Sequence, residues 1–254
     1  MASVGEVGAI SSSKSRYEWV SDMVWKIPTK FVDAESVRCL GPPSACAREG
    51  SKVSIEILSS SISERVCHRG PNGDWFFMYT CVLAEIGVRF PFTRFECSVL
   101  RQINRAPSQI HPNSWAYMRA FQILMEYLGE TPSLEVFFFL FQAKGVDRGV
   151  WVTLSSHQGF PYTGIKRLVQ CLGVEELSDR DADLVGFLFL NLKGGKVLNT
   201  LEILKWDSDK GSIVGYFETK IPYCNTSSLK SFFKQRAEKE QSSSQVVKIG
   251  KAVK

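Results

Sequence analysis

Between Pro112 and Gly129 the apolar residues Trp115, Met118, Phe121, Ile123, Leu124 and Leu128 recur mostly at three- and four-residue intervals. That is the period of one helix face, and it fixes a long amphipathic helix over Pro112 to Leu128. Proline belongs in a first turn, where its missing N–H is not needed, and glycine belongs just past a last turn. A helix with so wide an apolar stripe needs a core to bury it, so the rest of the chain must supply packing partners.

Candidates for those partners lie on both sides. Trp75 to Ile86 reads as a helix closed by Gly87 and Pro91, and Thr93 is placed to cap another that runs to about Ile103 and buries Phe95, Val99 and Ile103. Pro107-Ser108 marks a turn. After Thr131-Pro132, Ser133 to Gln142 carries Phe137-Phe138-Phe139 and is apolar nearly all round, which predicts a core helix. Gly149 to Ser155 alternates Val150, Val152 and Leu154 with Trp151 and Thr153 and predicts a strand. Ser178 precedes Asp179, Asp181 and Asp183, then Leu184, Val185, Phe187, Leu188 and Leu192, with Gly194-Gly195 beyond. Those are the cap, the first-turn acids and the stop of a helix.

The remaining segments are plainer. Tyr17 to Trp25 predicts a short helix ended by Pro28, and a second follows Asp33. Gly41-Pro42-Pro43 breaks the chain, and the stretch to Gly73 reads as loop with one strand at Val53 to Leu58. Shorter helices are expected over Thr200 to Trp206 and Ser212 to Thr219, and a last one over Ser227 to Glu240, capped by Thr226 or Ser227. No internal repeat is visible. The fold class expected is α+β, mainly α: a helical domain with one short strand or hairpin, plus a smaller C-terminal helical region. The organisation expected is a flexible start (1–15), an N-terminal segment (16–73), a central domain (74–156), a C-terminal helical region (178–240) and a basic flexible tail (241–254).

Composition separates function classes only when charge is placed along the chain. The formal net charge is +5. From Asn225 onward seven basic residues (Lys230, Lys234, Arg236, Lys239, Lys248, Lys251 and Lys254) face Glu238 and Glu240, and the preceding residues hold 24 bases and 24 acids. The excess charge is therefore terminal. Such a tail is either a solvated terminus or a weak, non-specific attractor of phosphates, with Lys230, Lys234, Arg236 and Lys239 as the candidate nucleic-acid contacts.

Seven irregularly spaced cysteines with no secretory leader argue against a disulfide framework. The longest apolar stretches, Trp75 to Ala84 and Val136 to Phe141, are shorter than the ~20 residues of a membrane helix. An intracellular protein of the cytoplasm or nucleus, without membrane contact, is expected.

Four runs carry a family resemblance. They are Gly87-Val88-Arg89-Phe90-Pro91-Phe92, Ala106-Pro107-Ser108-Gln109-Ile110-His111-Pro112-Asn113-Ser114-Trp115, the break before Ser133 to Gln142, and Gly149-Val150-Trp151-Val152-Thr153-Leu154. Together with Asp74 to Tyr79 these make the segment to Ser156 resemble the plant gypsy-type transposon domain family, also called plant transposon protein. The resemblance implies an element-encoded or element-derived protein, in some cases placed where a gag-like protein would stand. It brings no catalytic residues. Sequence similar to the family continues past the strand at Trp151 with further aromatic and basic residues, whereas here Gly159 to Gly164 leads quickly to the Ser178 helix.

Tests for chemistry point the same way. Asp179, Asp181 and Asp183 alternate like a calcium loop, yet Leu184 stands where glycine is needed and Leu190 where the bidentate glutamate is needed. Asp207, Asp209 and Glu218 have the outer spacing, with Gly211 and Ser212 at the fifth and sixth positions. No Cys-x2-Cys pair exists, and His68, His111 and His157 are scattered, so no zinc knuckle can form locally. Gly159 to Gly164 has phosphate-loop spacing, but Ile165 replaces the lysine and Pro161 removes an amide donor. No Gly-x-Ser-x-Gly elbow is present, and no cysteine has a local histidine partner. His111 reads as a capping or core residue, and Trp75, Trp115 and Trp151 read as core before base-stacking platforms.

The expectation is a non-enzymatic structural or interaction protein without a cofactor, acting on protein partners or by self-association. Weak nucleic-acid contact through the basic tail is the alternative.

Overall fold

The computed structural model describes residues 33–38, 42–52, 55–57, 76–146, 151–156, 177–192, 203–204 and 210–252. In chain order its helices are α1 (Ala34–Arg38), α2 (Thr80–Ala84), α3 (Arg94–Ile103), α4 (Pro112–Leu128), α5 (Leu134–Leu140), α6 (Asp179–Leu192), α7 (Lys210–Lys220) and α8 (Thr226–Ala252). Strands β1 (Phe141–Val146) and β2 (Trp151–Ser156) fall between α5 and α6 and pair antiparallel, Phe141 opposite Ser156 and Val146 opposite Trp151. The fold is α+β and mainly α, as expected.

Local chemistry sets the boundaries of the central helices. Thr93 and Glu96 form a reciprocal capping box at the start of α3: the Glu96 N–H donates to Thr93 Oγ1 and the Thr93 N–H donates to Glu96 Oε2. Arg48 also reaches the buried Glu96 carboxylate at 3.4 Å, and it donates to the carbonyls of Arg89 and Pro91. It thereby ties the segment before α2 to the start of α3. Helix α4 ends at Gly129, whose φ of 73° is left-handed and whose added Cβ would lie 3.4 Å from the Thr226 methyl. Asp33 accepts from the Ser36 N–H at 2.7 Å and starts α1.

The core is one cluster that joins the central elements to the later helices. Trp115, Met118, Met125 and Leu128 of α4, Phe137 and Leu140 of α5, Val152 and Leu154 of β2, Leu188 of α6, Phe217 of α7 and Leu229 of α8 are all buried in it. Phe95, Phe121 and Phe137 meet with ring centroids 5.2–5.5 Å apart, within the range of favourable aromatic pairs. Helices α6 and α8 pack together: Phe187 meets Phe232, Arg180 sits 4.8 Å over the Phe233 ring, and Arg236 bonds Asp183 at 2.7 Å.

Several expectations are corrected. The helix expected over Trp75 to Ile86 is only Thr80–Ala84. Residues 76–79 are not helical, and the Phe76 ring packs on Phe90 and Phe92, a tertiary contact that outweighs local helix propensity. The helix expected to reach Gln142 stops at Leu140, because Phe141 and Gln142 open the strand that pairs with β2.

Residues 55–57 are not strand. Helix α8 is capped by Asn225, whose Oδ1 accepts from the Ser228 N–H at 2.9 Å, and not by Thr226 or Ser227. It runs past Glu240 to Ala252, since no proline interrupts it. Residues 203–204 are helical, and the rest of the Thr200 to Trp206 expectation, like the helix at Tyr17 to Trp25, lies outside the described residues.

Candidate functional site

The run that makes the family resemblance specific, Ala106 to Trp115, forms the junction between the 3-10 turn Pro107–Gln109, the start of α4 and the edge of β2. Four of its polar side chains have structural partners. Gln109 Oε1 accepts from the Ala106 N–H at 3.1 Å, and His111 Nδ1 accepts from the Asn113 N–H at 3.1 Å. The His111 N–H donates to the Val152 carbonyl at 2.8 Å, and Ser114 Oγ accepts from the Leu154 N–H at 2.7 Å. These last two bonds cover the edge of β2 that β1 leaves open.

Trp115 is wholly buried, stacks on Phe92 with centroids 5.4 Å apart, and donates its indole N–H to the Pro107 carbonyl at 3.4 Å. His111 is thus the cap the sequence suggested, and Trp115 is core.

The candidate nucleic-acid contacts Lys230, Lys234, Arg236 and Lys239 lie on α8 with exposed side chains, but they do not form one free cationic face. Arg236 is bonded to Asp183, and Lys234 stands 4.0 Å from Glu238 one turn on. Lys230 and Lys234 share a face, while Arg236 points to α6.

The acids of α6 are held apart by separate duties. Asp181 bonds the Ser178 hydroxyl at 2.8 Å, and Asp183 binds Arg236. Among the described residues no three His, Cys, Asp or Glu side chains converge to hold a metal ion. Asp207, Asp209, His68, His157 and Gly159 to Gly164 lie outside the described residues. Burial pushes the Cys224 thiol up to about 12, and burial with the nearby Glu85 raises that of Cys81. Both shifts run against thiolate formation, so neither is an activated nucleophile. Tyr79 is likewise pushed up to about 12, first by burial and then by Cys81.

The sequence reading, which placed excess charge only at the C-terminus, passed over the outer side of α3. Leu100, Arg101, Asn104, Arg105, Ala106, Pro107 and Gln109 line an open groove of about 560 Å³ there. Over residues 89–119 the chain holds five arginines and a single acid, Glu96. A balanced total over the first 224 residues hides that local asymmetry.

Residues 77–145 match the model of a family described as "Putative gypsy type transposon". The match spans α2 to β1 and includes the Ala106 to Trp115 junction. The resemblance read from the sequence is borne out over that segment. No curated protein and no solved structure matches the chain.

Proposed function

We propose that this chain is a non-enzymatic structural or interaction protein of plant gypsy-type retrotransposon origin. One observation carries the reading: the side chains that make the family segment specific, from Gln109 through His111 and Ser114 to Trp115, are engaged in building the turn before α4, capping that helix and tying it to β2. A segment whose distinctive residues build a scaffold supports a role exerted through surfaces. Leu190, in the last turn of α6, and Tyr223, just before α8, are 63% and 77% exposed. Among the described residues they are the most exposed large apolar side chains, the kind that a protein partner or a second copy would cover. No helix among the described residues is long and apolar enough to cross a membrane.

The reading is tested against enzymatic action on nucleic acid. Incubated with plasmid DNA or single-stranded RNA in the presence of magnesium or manganese, the full chain is expected to leave both intact. Metal-dependent cleavage that disappears when Asp179, Asp181 and Asp183 are changed to asparagine would overturn the proposal.

A further inference from the structure

We propose that the outer face of α3 and the turn after it form a sequence-independent contact surface for the phosphate backbone of nucleic acid, with Arg94, Arg101 and Arg105 as the cationic contacts. This surface is distinct from the basic residues of α8, and it does not depend on association through Leu190 or Tyr223.

The placement follows from helix geometry. Arg94 and Arg101 are seven residues apart, two turns or about 10.5 Å along one side of α3, and Arg105 lies two residues beyond the helix end, half-buried and donating to the Asn104 carbonyl at 2.8 Å. Asn104, with a left-handed φ of 53°, ends the helix and turns the chain so that Arg105 lines the groove with Arg101. Arg94 and Arg101 are exposed and have no acidic partner among the described residues.

The only acid of this stretch, Glu96, is buried and held by Arg48 and the Thr93 N–H, so it offers Arg94 and Arg101 no counter-charge at the surface. Glu126, Glu130 and Glu135 follow at the far end of α4 and beyond. Arg101 and Arg105 lie beside the start of α4, so about 20 Å of helix separates them from Glu126, more than twice the screening length at physiological salt; Arg94 stands at the other end of α3, where Thr93 bonds Gln122, one turn from Glu126.

Arg94 supplies an independent argument. It is the first residue of α3, where the helix dipole favours an acid and disfavours a cation. Its charge therefore works against the helix and suits an external anion. The groove lining decides which kind. Its polar members are Arg101, Asn104, Arg105 and Gln109, and its apolar members are Leu100, Ala106 and Pro107, with no aromatic residue among them. A protein hot spot needs a buried anchor pocket, and base recognition in single strands needs stacking platforms. Guanidinium forks along an open groove meet the requirement of a phosphate backbone, which is positioned cations and little else.

The test is binding of a fluorescent single-stranded RNA and of a duplex DNA to the full chain over a salt series from about 50 to 200 mM, where three phosphate contacts on a single strand cost about 20-fold in affinity. Changing Arg94, Arg101 and Arg105 together to glutamine is expected to weaken RNA binding at least about tenfold at the low-salt end and to flatten the slope of log K against log salt by about 2. The corresponding triple lysine variant is expected to keep most of the binding, and the glutamine variant of Lys230, Lys234 and Lys239 to keep the steep slope. An unchanged circular dichroism spectrum and melting temperature separate loss of contact from loss of fold. The proposal is overturned if the wild-type chain binds neither nucleic acid at low salt, if the arginine variant binds as well as wild type, or if binding is lost only with the α8 lysines. Binding of an acidic peptide in place of nucleic acid would overturn it too.

Discussion

Changing Trp115 to alanine is expected to cost about 3–5 kcal/mol of stability, the range for removing a large buried aromatic side chain. The whole margin of a folded protein is about 5–15 kcal/mol, so the variant would sit close to unfolding. The size of the effect comes from three losses at once. The wholly buried ring leaves a cavity, the stack on Phe92 disappears, and the Pro107 carbonyl loses the indole donor. Trp115 to phenylalanine keeps an aromatic face toward Phe92 and gives up the indole N–H, so its cost should be clearly smaller. Urea unfolding followed by circular dichroism measures both. An unfolding free energy for the alanine variant within about 0.5 kcal/mol of wild type would mean that the family segment is not organised around this residue.

The next largest effect is expected on raising the pH. In the folded protein burial pushes the Cys224 thiol from 9.0 to about 12, and Tyr79 moves from 10.0 to about 12. Each shift favours the neutral form in the folded state. Its stabilising contribution is therefore complete below the ordinary value, and it falls as the unfolded chain begins to ionise above pH 9 for the thiol and above pH 10 for the phenol. The loss for the thiol is about 1.4 kcal/mol per pH unit until the folded group also ionises near 12.

Between about pH 8 and pH 10.5 Cys224 alone should account for about 2 kcal/mol of lost stability. The check compares urea midpoints of wild type and a Cys224 to alanine variant at both pH values. The alanine variant starts less stable and should lose less on the alkaline side. Equal losses in the two proteins would show that Cys224 does not titrate as its burial requires.

Legibility in the sequence tracked how local the deciding interaction is. Helix α4 was readable residue for residue because Pro112 and Gly129 act on their own turns, and Thr93 and Ser178 marked the starts of α3 and α6 through bonds three residues long. Strand β1 was missed where Phe141 and Gln142 continue an apolar run that suits a helix equally well. Only the pairing with Ser155 and Ser156, some 14 residues on, decides between them. Residues 76–79 escaped for the same reason, since their conformation goes with contacts to Phe90 and Phe92. Asn225, Thr226 and Ser227 can all cap a helix, and the geometry selects the first.

The functional surfaces followed the same division. His111 was legible as a cap and Trp115 as core, but nothing local announces that Asp183 neutralises Arg236 from 53 residues away. The α3 arginines were legible in principle, as five bases against one acid over 89–119, and were lost by averaging charge over a longer stretch. Seeing them required knowing that Glu96 is buried, that Arg94 and Arg101 share one side of α3, and that Arg105 lines the groove with Arg101.

The central claim is that this protein acts through association by way of its surfaces, and sedimentation velocity of the full chain without nucleic acid tests it most directly. Over about 1 to 100 μM, the range in which associations of about 6 to 8 kcal/mol become visible, the sedimentation coefficient is expected to rise reversibly with concentration. Changing Leu190 and Tyr223 to glutamate should suppress the rise. A single monomeric species at every concentration would contradict the claim.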